Sequence, residues 1–135
     1  DYTIRAKVAE GVTLASGLKT AISETFQSAG PISMICSSQD ECDKIGATLM
    51  DTTALTDNKN VNSVLSAEDG IITVKFKSSV VPAGEEDLTI VPNVKLNVDT
   101  NAGKQIAWYC GGQGTTVKQK FLPSNCRGNT AKAPA

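Results

Sequence analysis

The stretch IRAKVAEGVTLASGLKTAISETF, residues 4–26, carries apolar side chains at steps of three and four residues. The series is Ile4, Val8, Val12, Ala15, Leu18, Ile22 and Phe26. This spacing places the whole series on one face of an α-helix. Gly30 and Pro31 then favour a helix end, because glycine suits the left-handed position past the last turn and proline cannot continue the hydrogen-bond ladder. The sequence therefore predicts an amphipathic helix over residues 1–29.

The beginning of this helix lacks the usual charge pattern. Arg5 and Lys7 stand near the positive end of the helix dipole, which disfavours a cation by about 0.3–1 kcal/mol. We therefore expect that upstream helix is missing from this sequence. Gly11 and Gly17 each cost about 1 kcal/mol relative to alanine inside a helix, so packing must hold the segment helical.

The composition is that of a globular domain. With 135 residues, 40% of them hydrophobic, the chain is long enough to bury one core. Lys and Arg number 13 against 14 Asp and Glu, so no overall basic field favours nucleic acid as a partner. No apolar run reaches about 18 residues, the length of a membrane helix, and we expect a soluble mature protein or fragment.

Four cysteines, Cys36, Cys42, Cys110 and Cys126, allow three pairings. Proximity in the sequence favours Cys36 with Cys42 and Cys110 with Cys126. Zinc is disfavoured, because the spacings do not match zinc motifs and the chain has no histidine. Two disulfides imply an oxidising compartment, and closing a loop of about 15 residues stabilises a fold by about 3 kcal/mol.

The second half of the chain has the pattern of an antiparallel sheet. Strands are predicted over residues 61–65, 71–76, 88–98 and 105–110, separated by tight turn sequences at 67–70 and 99–103 and by a longer connection that opens at 81–84, and a minor helix is predicted over 42–50. Ile72, Val74 and Phe76 alternate with polar residues, which is typical of a sheet with one dry face. Pro92 favours an edge position or a bulge. Short reversals favour a four-stranded antiparallel meander.

These elements predict an α+β fold, in which a long N-terminal amphipathic helix packs on a four-stranded antiparallel sheet, with a C-terminal disulfide-bounded loop. We expect one domain over 1–135, with a helix (1–29), a connecting loop (30–60), the sheet (61–110), the disulfide-bounded region (110–126) and a tail (127–135). The C-terminal half of the helix should cover the sheet. Ile4, Val8 and Val12 should then stand uncovered, as a partner surface.

Several stretches resemble type IVa major pilins. They are DYTIRAKVAEG at 1–11, LASG at 14–17, the strand sequences near 71–74 and 88–92, WYC at 108–110 and FLPSNCR at 121–127. The N-terminal phenylalanine and apolar half-helix of that family are not present, which fits removal of that half. The Cys36–Cys42 pair and the tail 128–135 are additions to the simplest form of the pattern.

The resemblance implies a structural subunit of a retractable pilus on Gram-negative bacteria, a homopolymer that serves twitching motility, adhesion to host cells or abiotic surfaces and biofilm formation, and often phage or DNA capture. The missing half-helix would be its only contact with the membrane, holding the subunit in the inner membrane before assembly. The assembly interface is predicted at Ile4, Val8, Val12 and Ala15, and burying each of the first three side chains contributes about 1.5–3 kcal/mol.

The disulfide-bounded loop is the predicted receptor-binding site, because a stapled loop loses little entropy on binding. The site residues are Gly111, Gly112, Gln113, Gly114, Pro123, Ser124 and Asn125. The first four should expose backbone donors and acceptors. The alternative is that the disulfide only pins the last strand and the tail.

Nothing in the sequence predicts an enzyme, a metal site or a cofactor. The chain has no histidine to serve as a general base, and its cysteines are committed to bridges. The acidic runs at 40–43 and 85–87 lack a calcium-ligand pattern and indicate solvated loops. Trp108 is expected in the core. A minor pilin or a pseudopilin of a secretion system is the alternative function, and an uncharacterised hydrolase is a third.

Overall fold

The computed structural model describes residues 2–135, so Asp1 of the predicted helix lies outside the described residues. Helix α1 spans Tyr2–Ala29 and α2 spans Gln39–Lys44. The strands are β1 (Val61–Ser66), β2 (Ile72–Phe76), β3 (Asp87–Pro92) and β4 (Trp108–Cys110). Helix α1 ends as the sequence predicts, because Gly30 adopts a φ of 74° and donates its N–H to the Phe26 carbonyl. Within residues 2–135, no helix has the length and apolar character needed to cross a membrane.

The sheet is an antiparallel meander of order β1-β2-β3-β4, which confirms the predicted topology. Val74 lies opposite Val64, and Ile90 lies between Ile72 and Cys110 in the register. These apolar residues share the face against which α1 packs. The α+β architecture with a long helix on four strands is therefore as predicted.

Two local predictions are wrong. Strand β3 ends at Pro92 and does not continue to residue 98, and Pro92 pairs with Trp108 as the last residue of an inner strand. A strand end tolerates proline because the ladder stops there, so no edge or bulge is needed. Helix α2 ends at Lys44 and not near residue 50, since Gly46 follows in the left-handed region with a φ of 67°.

The residues of α1 that face the sheet are Val8, Gly11, Ala15, Leu18, Ile22 and Phe26, and all are buried. The prediction that Val8 would stand uncovered is wrong, because its side chain is 0% exposed. Ile4 and Val12 are half-buried against the same core. The core reaches this far towards the N-terminus because β2 and the 3-10 turn Gln119–Phe121 both contact α1.

The long connection between α2 and β1 is tied to the rest of the domain by polar contacts. The Lys77 ammonium donates to three backbone carbonyls of this connection, including those of Leu55 and Thr56 at 3.4 and 3.3 Å. The Asn60 amide donates to a Glu10 carboxylate oxygen at 2.6 Å, which links the connection to α1. A segment rich in Thr, Asp and Asn is thereby held without an apolar core of its own.

Candidate functional site: the disulfide-bounded region and the N-terminal helix

Both predicted disulfides are present. Cys110, the last residue of β4, is bonded to Cys126 with a Cα–Cα distance of 4.5 Å, and Cys36 to Cys42 with 4.4 Å. The N-terminal bridge ties α2 to the sheet edge, since the Cys36 N–H donates to the Ser66 carbonyl of β1 at 3.2 Å. The C-terminal bridge closes the predicted receptor loop.

The first part of that loop continues the sheet beyond the end of β4. The Gly111 N–H donates to the Thr89 carbonyl at 2.8 Å, and the N–H groups of Thr116 and Val117 donate to the Asp87 carbonyl at 2.8 and 3.1 Å. The Thr89 N–H in turn donates to the Thr115 hydroxyl at 3.1 Å. Strand β3 therefore has partners along its whole length, and the loop is held by the sheet as well as by the disulfide.

The prediction that residues 111–114 expose their backbone groups is wrong for most of this segment. Gly111 and Gly112 are buried, and the Gln113 N–H donates to the Lys132 carbonyl at 2.8 Å. Gly111 has a φ of 78°, and a Cβ there would lie 2.0 Å from the Cys126 carbonyl oxygen. This position demands glycine because the two sides of the disulfide approach so closely.

The exposed part of the predicted receptor loop is small. Gln113, Gly114, Ser124 and Asn125 are exposed, and Pro123 is half-buried. Because the segments that carry them are fixed by the disulfide and by β3, these residues form a pre-organised surface.

Trp108 lies at the margin of the core and not within it. Its side chain is half-buried, and its indole N–H donates to the Ser23 hydroxyl of α1 at 3.0 Å. It forms one wall of a cleft of about 240 Å³ between α1 and β4, where Lys19, Asn125 and Asn129 also lie. Lys19 is the one charged residue among those that line the cleft, so the charge of the cleft is positive.

The acidic segments are held by local contacts. The hydroxyl and N–H of Ser37 donate to Glu41 and lower the pKa of its carboxyl group. On the sheet, Lys75 Nζ donates to Asp87 Oδ1 at 2.9 Å, and this hydrogen bond raises the pKa of the lysine. Across residues 2–135, no group of three or more His, Cys, Asp or Glu side chains is arranged to hold a metal ion.

Of the four predicted interface residues on α1, the structure assigns two to the domain's own core. Val8 and Ala15 are 0% exposed, so they cannot reach a second copy while the domain is folded. Ile4 and Val12 are half-buried. Tyr2, which the sequence pattern did not mark, is 79% exposed at the described beginning of the helix. Of the predicted strip, only Ile4 and Val12 keep part of their surface exposed, and Tyr2 lies about 200° around the helix from Ile4.

Comparison with known proteins places these features in a family. A family model described as pilin, a bacterial filament protein, matches residues 4–127. The fimbrial protein EcpC of Eikenella corrodens is 29% identical over 137 residues, covering 99% of this chain and 77% of that protein. A fimbrial protein of Moraxella nonliquefaciens is 32% identical over 131 residues, covering 92% of this chain and 77% of its own length.

The fold is also that of a solved type IV pilin. The crystal structure of a pilin from Pseudomonas aeruginosa matches with a TM-score of 0.58 over 93% of this chain and 98% of the other, at 20% sequence identity. At that identity the likeness concerns the fold alone. Together with the family match, which spans the helix, the sheet and the C-terminal disulfide, it leads to one conclusion. The chain has the fold of a type IV pilin and belongs to the pilin family, the structural subunits of filaments on the bacterial surface.

Proposed function

We propose that this chain is the major subunit of a type IVa pilus of a Gram-negative bacterium. It assembles as a homopolymer through the N-terminal part of α1. Before assembly, the subunit is held in the inner membrane. The observation that carries the proposal is the uneven burial of α1. The residues of the helix that face its own sheet are buried from Val8 onward, whereas the large side chain of Tyr2 is 79% exposed.

The exposed Tyr2 side chain can be buried by contact with another copy. Fully burying such a side chain contributes on the order of 1.5–3 kcal/mol, which is repeated at every subunit of a polymer. Ile4 and Val12 add half-buried apolar surface on the same helix. In this proposal Val8 and Ala15 position the helix, and Tyr2, Ile4 and Val12, which lie on different sides of α1, contact neighbouring subunits.

The pilus acts in twitching motility, adhesion and biofilm formation. The exposed residues Gln113, Gly114, Ser124 and Asn125 are the candidates for contact with host-cell or abiotic surfaces. A rigid polar surface suits this role because few rotamers must be fixed on binding. Phage and DNA are further candidate ligands, through the basic residues Lys118, Lys120, Arg127 and Lys132 of the C-terminal region.

Site-specific photo-cross-linking in the native host tests the assembly mode. A photoreactive amino acid replaces Tyr2 in one strain and Ser28, an exposed residue in the last turn of α1, in a matched control strain. Sheared filaments from the first strain should give a ladder of covalent multimers after irradiation, and those from the second should remain monomeric. A ladder from position 28 with none from position 2 would overturn the proposed assembly mode.

A further inference from the structure

The tail beyond the second disulfide leaves the cleft between α1 and β4 at Asn129 and then crosses the outer face of the sheet, the face opposite α1. Strand alternation sets the two faces. Ile90 and its partner Cys110 point towards α1, so Val91 and its partner Tyr109 point to the outer face. The chain turns at Gly128, which has a φ of 74°, and residues 129–135 then run across Tyr109.

Backbone and side-chain contacts fix this segment. The side-chain amide of Asn129 donates to the Cys110 carbonyl at 2.8 Å. The Lys132 carbonyl accepts the Gln113 N–H at 2.8 Å, and the Ala135 N–H donates to the Asn93 carbonyl at 3.0 Å. These contacts lie at the beginning, the middle and the end of residues 129–135.

The tail is also held by a cation over an aromatic ring. The Lys132 ammonium lies 4.9 Å from the centroid of the Tyr109 ring. Such a contact contributes about 0.5–1 kcal/mol at an exposed site, so it selects for a cation at this position of the tail.

Beneath the tail lies an apolar side chain that the main core does not include. Val91 is 0% exposed, yet it is not part of the cluster formed around α1. Gly112 and the tail close over it, since a Cβ on Gly112 would lie 2.7 Å from a Val91 methyl group and 3.0 Å from the Lys132 carbonyl oxygen. The glycine is needed here because the tail passes so close.

The tail itself is mostly exposed, whereas the sheet residue Val91 is buried. Thr130, Ala131, Lys132 and Ala133 are exposed, although the valine beneath them is sealed. A segment with little apolar burial of its own opens locally at a low free-energy cost. Opening uncovers the Tyr109 ring, the Gln113 N–H, the Asn93 carbonyl and the Gly112 backbone that lies on Val91.

We propose that residues 129–135 are a detachable strap, and that the surface beneath them is an association site for the same segment of a second copy. We call this surface the strap site and define it by Val91, Tyr109, Gly112 and the backbone groups of Asn93 and Gln113. The site fits an extended peptide with a lysine over Tyr109, a carbonyl facing Gln113 and an N–H facing Asn93.

The second copy is the occupant because the structure shows that this sequence fits the site. Exchange of an identical segment between copies costs little, since the contacts are the same in both arrangements. A pilin works at high local concentration, in a filament of many copies. While its own strap is in place, the site is closed, because a tethered segment competes at an effective concentration in the millimolar range.

The test uses a chain that ends at residue 128 and a synthetic peptide with the sequence of residues 129–135. Nuclear magnetic resonance follows the backbone amides of the labelled chain as peptide is added. Saturable shifts are expected at Tyr109, Gly112 and Gln113. A peptide with Lys132→Glu should bind about two- to fivefold more weakly, in proportion to the lost cation–π contact. The full chain should show no shifts, because its own strap fills the site.

A folded shortened chain whose amides do not respond to millimolar peptide would overturn the proposal. Failure of the shortened chain to fold would also overturn it, because a detachable strap must leave the core intact. Shifts of equal size in the full chain would mean that the peptide binds elsewhere, with the same consequence.

Hydrogen exchange in the full chain provides an independent measurement. Asn129→Ala combined with Lys132→Ala removes two side-chain anchors and leaves the backbone contacts in place. Exchange of the Gln113 amide should accelerate about tenfold, in proportion to the loss of these anchors. Exchange of the Gly111 amide, which bonds β3 and not the strap, should be unchanged. Equal acceleration of both amides, or of neither, would contradict a strap that opens by itself.

Discussion

Replacing Gly11 by alanine is expected to lower the free energy of unfolding by about 2 kcal/mol, although alanine favours the helical state. The reason is the distance between α1 and β2. A Cβ on Gly11 would lie 2.5 Å from two carbons of the Phe76 ring and 3.1 Å from a Val74 methyl group. Phe76 is 1% exposed and packed on all sides, so its ring cannot move without disturbing the sheet.

Gly17 offers a matched control on the same helix. A Cβ at this position would meet no atom within 4 Å, and the residue is exposed. Gly17→Ala should therefore raise the free energy of unfolding by about 1 kcal/mol, through helix propensity and a less flexible unfolded chain. Urea unfolding followed by circular dichroism measures both variants. A Gly11→Ala variant as stable as Gly17→Ala would contradict the claim that α1 lies too close to β2 at Gly11 to admit a Cβ.

Removing the Cys110–Cys126 bridge is expected to cost about 3 kcal/mol, from the chain entropy of a loop with a sequence separation of 16. The double variant Cys110→Ala with Cys126→Ala tests this without leaving a free thiol. Because residues 111–117 are hydrogen-bonded to Asp87 and Thr89, the loss should extend to β3 and should not be confined to the loop. Urea unfolding measures the total loss of unfolding free energy, and hydrogen exchange at β3 shows whether this loss extends to that strand.

The other bridge serves as the control. Cys36 and Cys42 close a loop with a separation of only 6, for which the same relation gives about 2 kcal/mol. This loss should reach β1 through the bond from Cys36 to Ser66 and leave exchange at β3 unchanged. Loss of protection at β3 in both double variants, or in neither, would contradict the separate roles assigned to the two bridges.

The parts of the fold that depend on local patterns are predictable from the sequence. The helix end at Gly30 follows from its left-handed conformation, and β2 follows from the alternation of Ile72, Val74 and Phe76. Both signals lie within a few residues of the element that they define. The pairing of β1 with β2 follows from the short reversal at 67–71, whereas β3 and β4 are joined by the long connection 93–107, whose length does not by itself predict their pairing.

The candidate sites were harder to predict because they depend on contacts between distant residues. The burial of Val8 requires that Gly11 approach Phe76, and these positions are 65 apart in the sequence. The Gly111 and Gly112 backbone is occupied by β3 and approached by the tail, so a glycine-rich stretch that looks exposed is buried. Their glycines were a usable signal, since glycine is also the residue that close backbone approach demands.

The position of the tail on the sheet could not be predicted from its sequence. Residues 129–135 show no periodic apolar pattern, and their partners are backbone groups on β4 and in the turns beside it. Val91 was the available signal, as an apolar residue on the face of β3 that the helix does not cover. Sequence alone does not say which segment covers it.

The composition of native filaments tests the central claim, that this chain is the bulk subunit of a pilus, most directly. Filaments sheared from the host and separated by sedimentation are analysed by quantitative mass spectrometry, together with a strain that lacks the gene. The account predicts that this chain forms most of the filament protein, and that filaments and twitching are both lost with the gene. Filaments that persist without it, with the chain found only as a free monomer in the wild type, would contradict the claim.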